Sequence, residues 1–293
     1  MVIQLLLNAI IAGSVYALVG VGFSLIFRVV HFFDFTYGLS FTFGAYGLFA
    51  LITWTGAPFA VAVVLAVTAT VLVALAVEAS VFRQLRMRSG APGLASFIAS
   101  LGLYIVGQNA ISMAFGDGAR SVRPYAVEPG LELWGARITS IQLATIACSA
   151  ATLLGVIVWL RFTATGRNLR AVGQNPELAS IVGVSVGTVT ALATSLGATM
   201  GAVAGILSAL DRDIVPTMGM NALLMGIVAT LVGGASRLLG VVLAAILVGL
   251  VQNLSILFVP AAWQEAIVFL VLLAFLLVRP QGFSGRPLRP WTV

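Results

Sequence analysis

The chain has no lysine. All fifteen of its basic residues are arginine, set against nine acidic residues and one histidine, His31. Without Lys there is no Walker A phosphate loop, whose Lys reaches the nucleotide phosphates, and no Schiff-base chemistry on a Lys amine. One histidine and one cysteine, Cys148, cannot build a His/Cys metal cluster, and a lone cysteine forms no intrachain disulfide. Cys148 stands in an apolar run, which predicts an inert, buried thiol. Charge of either sign is scarce, at 8% of residues. No constellation for catalysis stands out, and no catalytic residue, metal ligand or cofactor-binding residue is singled out from the sequence.

Apolar sequence is what the chain has in quantity. It is 60% hydrophobic over 293 residues, with a mean hydropathy of +1.12. Several runs are long enough to cross a bilayer, a composition that no soluble domain of this length carries. A pI of about 10.4 would point to nucleic acid in a soluble protein. Here the arginines sit in short loops beside apolar runs, so membrane topology explains them. The start, MVIQLLLNAIIAG, has no positive n-region and the first charge is Arg28, which predicts a retained helix rather than a cleaved signal.

Spans are predicted at 3–27, 37–55, 57–82, 93–115, 139–160, 187–210, 238–258 and 263–278. The run 222–236 is short for a crossing and reads as a half-helix or re-entrant segment. The predicted fold is all-α: a polytopic helical membrane protein of eight to nine spans with one short apolar segment. RVVHFFDFTYG (28–38) reads as an interfacial or broken segment, and 83–92 as an Arg-rich loop. Glu78 is expected to pair with Arg83 one turn away or to stay among headgroups. A mixed-charge loop, 116–138, carries Asp117, Arg120, Arg123, Glu128, Glu132 and Arg137. The tail after Arg279, with Arg286, Arg289 and three prolines, is expected to be extended and outside the bilayer.

Two stripes of small residues stand out. Ala9, Gly13 and Ala17 lie four apart, and Gly197, Gly201 and Gly205 form a doubled G-x-x-x-G that allows close helix contact. The intramembrane amides Asn8, Gln108, Asn109, Gln252 and Asn253 either line a translocation path or make interhelical hydrogen bonds.

The longest polar connector, RFTATGRNLRAVGQNPELASIVGVSV (161–186), uses 26 residues to join two spans. Thr165 is expected to cap a short helix ending at Gly173. Asn175 caps a second, with Pro176 at its first position, Glu177 in its first turn and Gly183 at its end. Leu178, Ile181 and Val182 fall on one face. That stripe either folds back on the protein's own base or docks into a groove of another subunit, and spacing alone does not separate the two. With nine crossings and this connector inside, 11 of the 15 arginines fall on the cytoplasmic side and 4 outside, as the positive-inside rule requires. The N-terminus is then outside and the C-terminus inside.

Three stretches, 13–46, 166–207 and 226–252 with the closing 265–282, keep one order and together resemble the LivH-type permease subunits of bacterial branched-chain amino acid ABC importers. The most specific is the middle one, which combines N-P-E-L-A with the Gly-rich run after it; L-L-V-R-P-Q-G is nearly as telling. The chain departs from the family where it reads Asp34-Phe35-Thr36-Tyr37-Gly38 instead of N-F-A-H-G, and where Arg28 replaces a common Gly.

The resemblance implies a single permease domain over 1–293, placed in the bacterial inner membrane, with no ATPase site of its own. It makes 175–183 the coupling segment that docks on the ATPase, with Arg167 and Arg170 as polar anchors. The implied partners are two ATPase subunits that bind ATP, a LivM-type permease or a second copy of this chain, and an external substrate-binding protein. Branched-chain amino acids are the leading substrate, with urea, short amides and other amino acids served by related permeases. The alternative class is an ion-coupled secondary transporter. It needs an embedded carboxylate or His, for which Asp34 and Glu78 are the candidates.

Overall fold

The computed structural model describes residues 2–88, 92–122, 130–133, 136–235, 237–279 and 282–283. Arg123, Glu128, Arg286 and Arg289 lie outside them. The helices are α1 (Val2–Val30), α2 (Thr36–Thr55), α3 (Phe59–Val77), α4 (Arg83–Arg88), α5 (Pro92–Phe115), α6 (Ser140–Phe162), α7 (Ala164–Gln174) and α8 (Pro176–Ile181). They continue with α9 (Val186–Asp211), α10 (Met218–Gly233), α11 (Leu238–Leu254) and α12 (Gln264–Val278). Eight helices among the described residues are long and apolar enough to cross a membrane, and α10 is a shorter apolar helix. The expected polytopic bundle is therefore present.

The helices sort into a core and a lipid-facing shell. In α1, 72% of the most apolar stretch is buried inside the protein, and in α9 67%; the corresponding shares are 17% for the Phe59–Met87 span and 6% for the last span. Lipid tails are as apolar as leucine, so burial alone does not hold such helices together; close packing does. Small residues permit it. A Cβ on Gly13 would lie 3.0 Å from the Ile246 Cα on α11, and one on Gly44 would lie 2.5 Å from the Ala202 carbonyl oxygen on α9. At Gly205 a Cβ would drive into the Phe41 carbonyl, and at Gly197 it would come within 2.5 Å of the Ile26 side chain. Gly201 packs on Ser40 and Tyr37. The two stripes thus fasten α1 to α11, and α9 to α1 and α2.

The 28–38 region is a true break. His31 takes a left-handed φ of 57° and ends α1. The chain then turns back, so that α2 opens beside the last third of α1, with Tyr37 6.2 Å from the Phe23 ring. The exposed backbone is satisfied locally: Phe35 N–H donates to Ser100 Oγ at 3.1 Å, and Ser100 Oγ donates to the Phe33 carbonyl at 3.3 Å. Thr36 N–H donates to Asp34 Oδ1 at 2.9 Å. Irregular backbone at this depth is tolerated where protein buries it.

α10 is also partial. Its 16 residues reach about 24 Å, short of a hydrocarbon core of about 30 Å. It starts beside the middle of α1 and ends where the Ala235 carbonyl accepts from Ser24 Oγ at 3.2 Å.

Four expectations need correction. The segment after Phe82 is not a loop, because helix continues through α4 to Arg88. Glu78 sits in a π turn (Glu78–Phe82) that rephases the helix, so it pairs with Arg86 and is buried rather than meeting Arg83. Cys148 faces outward from α6 instead of into the core. Part of the 116–138 loop forms a short antiparallel hairpin, β1 (Leu131–Leu133) with β2 (Ala136–Ile138), in the register Leu131↔Ile138.

Close packing gives a ranked outcome. Gly205→Ala should lower the melting temperature of the purified chain, since overpacking costs about 1–3 kcal/mol. Gly102→Ala, where a Cβ meets nothing within 4 Å, should leave it unchanged or raise it. Equal melting temperatures would remove the packing account.

Candidate functional site: an outward helix and a charged cavity

The long connector folds into two helices with opposite relations to the body. α7 is docked. Leu169 and Val172 are buried in the main core, a Cβ on Gly166 would collide with the Leu160 carbonyl, and one on Gly173 would sit 3.1 Å from the Arg28 carbonyl oxygen. Its cap is Thr163, whose Oγ1 accepts from Gly166 N–H at 3.3 Å; Thr165 lies inside the helix, which runs one residue past Gly173. The earlier threonine wins because the turn from α6 leaves it extended, as an N-cap requires.

α8 stands off the body. Asn175 Oδ1 accepts from Leu178 N–H at 3.0 Å, with Pro176 in the first turn. The end is a Schellman turn: Gly183 at φ 86° donates to the Ser180 carbonyl at 3.0 Å, and Val184 donates to the Ala179 carbonyl at 3.0 Å. Ala179 alone of the helix is buried against the body. Leu178, Ile181 and Val182 are 62%, 78% and 76% exposed, so the apolar stripe does not fold back on the protein's own base. Arg167 is exposed, whereas Arg170 donates from Nη1 to the Leu160 carbonyl at 3.0 Å.

At the opposite end of the bundle lies a cavity of about 220 Å³, lined from α1, α2, α6, α9, α10, α11 and α12. Tyr16, Asp211, Arg212, Asp213, Gln252 and Glu265 supply its polar wall, and Ile11, Val15 and Met225 its apolar one. Tyr16 Oη donates to Gln252 Oε1 at 2.7 Å. Asp211 accepts from Gln142 Nε2 at 3.1 Å and lies 3.8 Å from Arg212 Nε. Glu265 stands in the first turn of α12, where the helix dipole favours a carboxylate. A chamber presenting both signs of charge and an apolar wall can solvate a zwitterion without binding it irreversibly.

Of the five amides read from the sequence, Gln252 alone lines this cavity. Asn8 accepts from Gln4 at the end of α1 that meets the hairpin, and Asn109 and Asn253 bond the carbonyls four residues before them. Gln108 is half-buried on α5, away from the cavity. The charges at Asp211, Arg212, Asp213 and Glu265 escaped sequence reading as site residues. For the first three the signal was the polar break 211–221, which returns charge to an otherwise apolar stretch of the chain; Glu265 stands alone before the last apolar run. Asp34 and Glu78 lie on a different and much smaller cavity of about 30 Å³, each 7% exposed.

The fold defines a polytopic helical membrane protein. A family model described as the branched-chain amino acid transport system permease component matches residues 5–276, and the chain belongs to that family. The high-affinity branched-chain amino acid transport system permease protein LivH of Escherichia coli K12 is 26% identical over 304 aligned residues, covering 97% of this chain and 96% of its own. BraD, the protein of the same description from Pseudomonas aeruginosa PAO1, is 24% identical with the same coverage. Among solved structures, PsaBC from Streptococcus pneumoniae in complex with Fab superposes with a TM-score of 0.50 at 16% identity, over 92% of this chain and 89% of that one. That likeness concerns the fold alone.

The cap on α8 can be tested directly. Asn175→Ala removes about 1 kcal/mol of helix stability, so hydrogen exchange at the Leu178 amide should quicken about fivefold while amides in α7 keep their rates. Unchanged exchange at Leu178 would show that α8 is held by something other than its cap.

Proposed function

We propose that this chain is the permease subunit of an ATP-driven importer that carries branched-chain amino acids across the bacterial inner membrane. The observation that carries the reading is the α8 stripe: three aliphatic side chains on a doubly capped helix, left largely uncovered by the described residues of this chain. Exposed aliphatic surface of this kind marks a protein interface. A helix laid into a groove of an ATPase subunit buries the stripe, with Arg167 beside it as a polar anchor. Arg170 belongs to the same anchor group in sequence, although its guanidinium is turned toward the body.

ATP is bound and hydrolysed by two such subunits, and this chain contributes no cofactor site. A second permease, of the LivM type or another copy of this chain, completes the pore, and an external binding protein delivers the substrate. The whole chain, 1–293, acts as one permease domain, with α8 cytoplasmic, the N-terminus outside and the C-terminus inside; the 11-to-4 arginine distribution supports that orientation. The charged cavity then faces the delivery side. Its paired signs and apolar wall favour an aliphatic α-amino acid over uncharged urea or short amides, and Gln252 is the amide assigned to the path. Gly197, Gly201 and Gly205 transmit motion by keeping α9 rigidly packed against α1 and α2.

The test is a reconstituted complex with its ATPase subunits and binding protein. Ile181→Asp should cost about 2 kcal/mol or more at the docking surface, as loss of a buried anchor does, and abolish substrate-stimulated ATP hydrolysis and uptake together. Ser180→Asp, on a polar exposed position of the same helix, should leave both intact. Normal coupling in Ile181→Asp would rule out α8 as the docking element.

A further inference from the structure

We propose that a second cavity, at the foot of α1 on the α7–α8 side, binds a phosphate-bearing anion. The cavity is about 300 Å³ and is lined by Phe27, Arg28 and His31 from the end of α1, Leu169 and Arg170 from α7, and Ala235 after α10. Arg28 is half-buried there. Its Nε donates to the Ala235 carbonyl, but its Nη2 is buried and has no hydrogen-bond partner. Arg170 reaches the same cavity and uses Nη1 on the Leu160 carbonyl. Among the described residues no carboxylate is paired with either guanidinium.

The helix dipole accounts for one arginine in the last turn of α1. It does not account for a second cation facing the same space, or for a buried N–H aimed at nothing. Leaving a charged donor unsatisfied costs more than leaving a neutral one, and two like charges without a counter-ion add repulsion. A single anion between the two guanidinium groups offsets the repulsion, and a turn of the Arg28 guanidinium toward it gives the closed-off Nη2 an acceptor. Phosphate suits it, because guanidinium donors match phosphate oxygens in pairs.

The surroundings favour a phosphate attached to a lipid. Arg28 stands two residues from the end of a membrane-spanning helix, at headgroup depth. Phe27 and Leu169 give the cavity an apolar side where glycerol and the first acyl carbons would lie. Basic pockets at this depth recognise anionic headgroups. The site is independent of α8, whose stripe lies outside the cavity.

The full-length chain in nanodiscs provides the test. Phosphatidylglycerol added to phosphatidylcholine should raise the melting temperature of the wild type, and native mass spectrometry should find retained phosphatidylglycerol. Arg28→Gln, which keeps a donor for Ala235, and the exposed Arg170→Gln should each lose the shift and most of the retained lipid. Arg161→Gln, an exposed arginine on the neighbouring α6, should keep both. The source of the phosphate is read in neutral detergent: if inorganic phosphate alone protects the wild type but neither variant, and phosphatidylglycerol adds nothing over phosphatidylcholine, the site takes a soluble phosphate. If both variants respond to lipid and phosphate as the wild type does, the proposal fails. It fails equally if neither probe shifts the wild type and both variants instead lose the ATPase partner, since the two cations then meet a carboxylate on that partner.

Discussion

Backbone contact between α1 and its neighbours is the constraint on which the rest of this protein depends. In lipid there is no hydrophobic gain from bringing two apolar helices together, so affinity comes from how closely the backbones approach. The chain meets that demand with glycine and alanine wherever α1, α2, α9 and α11 cross, and a Cβ at Gly44, Gly197 or Gly249 would sit about as close as 2.5 Å to a neighbour. Wide aliphatic side chains also cover the outer surface, as Val64, Leu72, Ile98 and Leu273 do on α3, α5 and α12. The consequence is mechanical: helices packed backbone to backbone have little room to slide, and they move as blocks or not at all.

That rigidity links the two regions of interest. Val182 to Ser185 are the only residues between α8 and α9, and Ser185 caps α9 directly. α9 then runs 26 residues, about 39 Å, through the core to Asp211 at the cavity. A displacement of α8 is therefore delivered to one end of a stiff, buried rod whose other end carries part of the charged wall. The broken entry to α2 and the short α10 give the bundle its irregular backbone, and both pack against α1. In membrane transporters such interrupted helices are where the pathway lies.

How much of this was legible in the sequence depended on the range of the interaction involved. Asn175, Pro176 and Gly183 act within one helical turn, so the bounds of α8 and the face bearing Leu178, Ile181 and Val182 could be read directly. Span positions followed from hydropathy for the same reason. Thr163 and Thr165 competed for one cap, and only the turn out of α6 decides between them. Glu78 could not be matched to Arg86 without knowing that a π turn intervenes. Cys148 looked internal because an apolar run has no marked inside when its outer face meets lipid. The charged cavity gathers residues from seven helices, and of its polar wall only Gln252 stands out in the sequence. The resemblance carried by N-P-E-L-A and the tail phrase supplied the family, but not which residues gather at the cavity.

The proposed docking of α8 on a separate ATPase subunit is best read by proximity. With Cys148 replaced by serine, single cysteines placed in turn at 176–183 can be cross-linked in membranes holding the whole complex. If α8 lies in a groove of the ATPase subunit, positions 178, 181 and 182 form cross-links to that subunit with helical periodicity, and position 179 forms none. Cross-links that are absent from all three, or that run without periodicity along the segment, would contradict the claim.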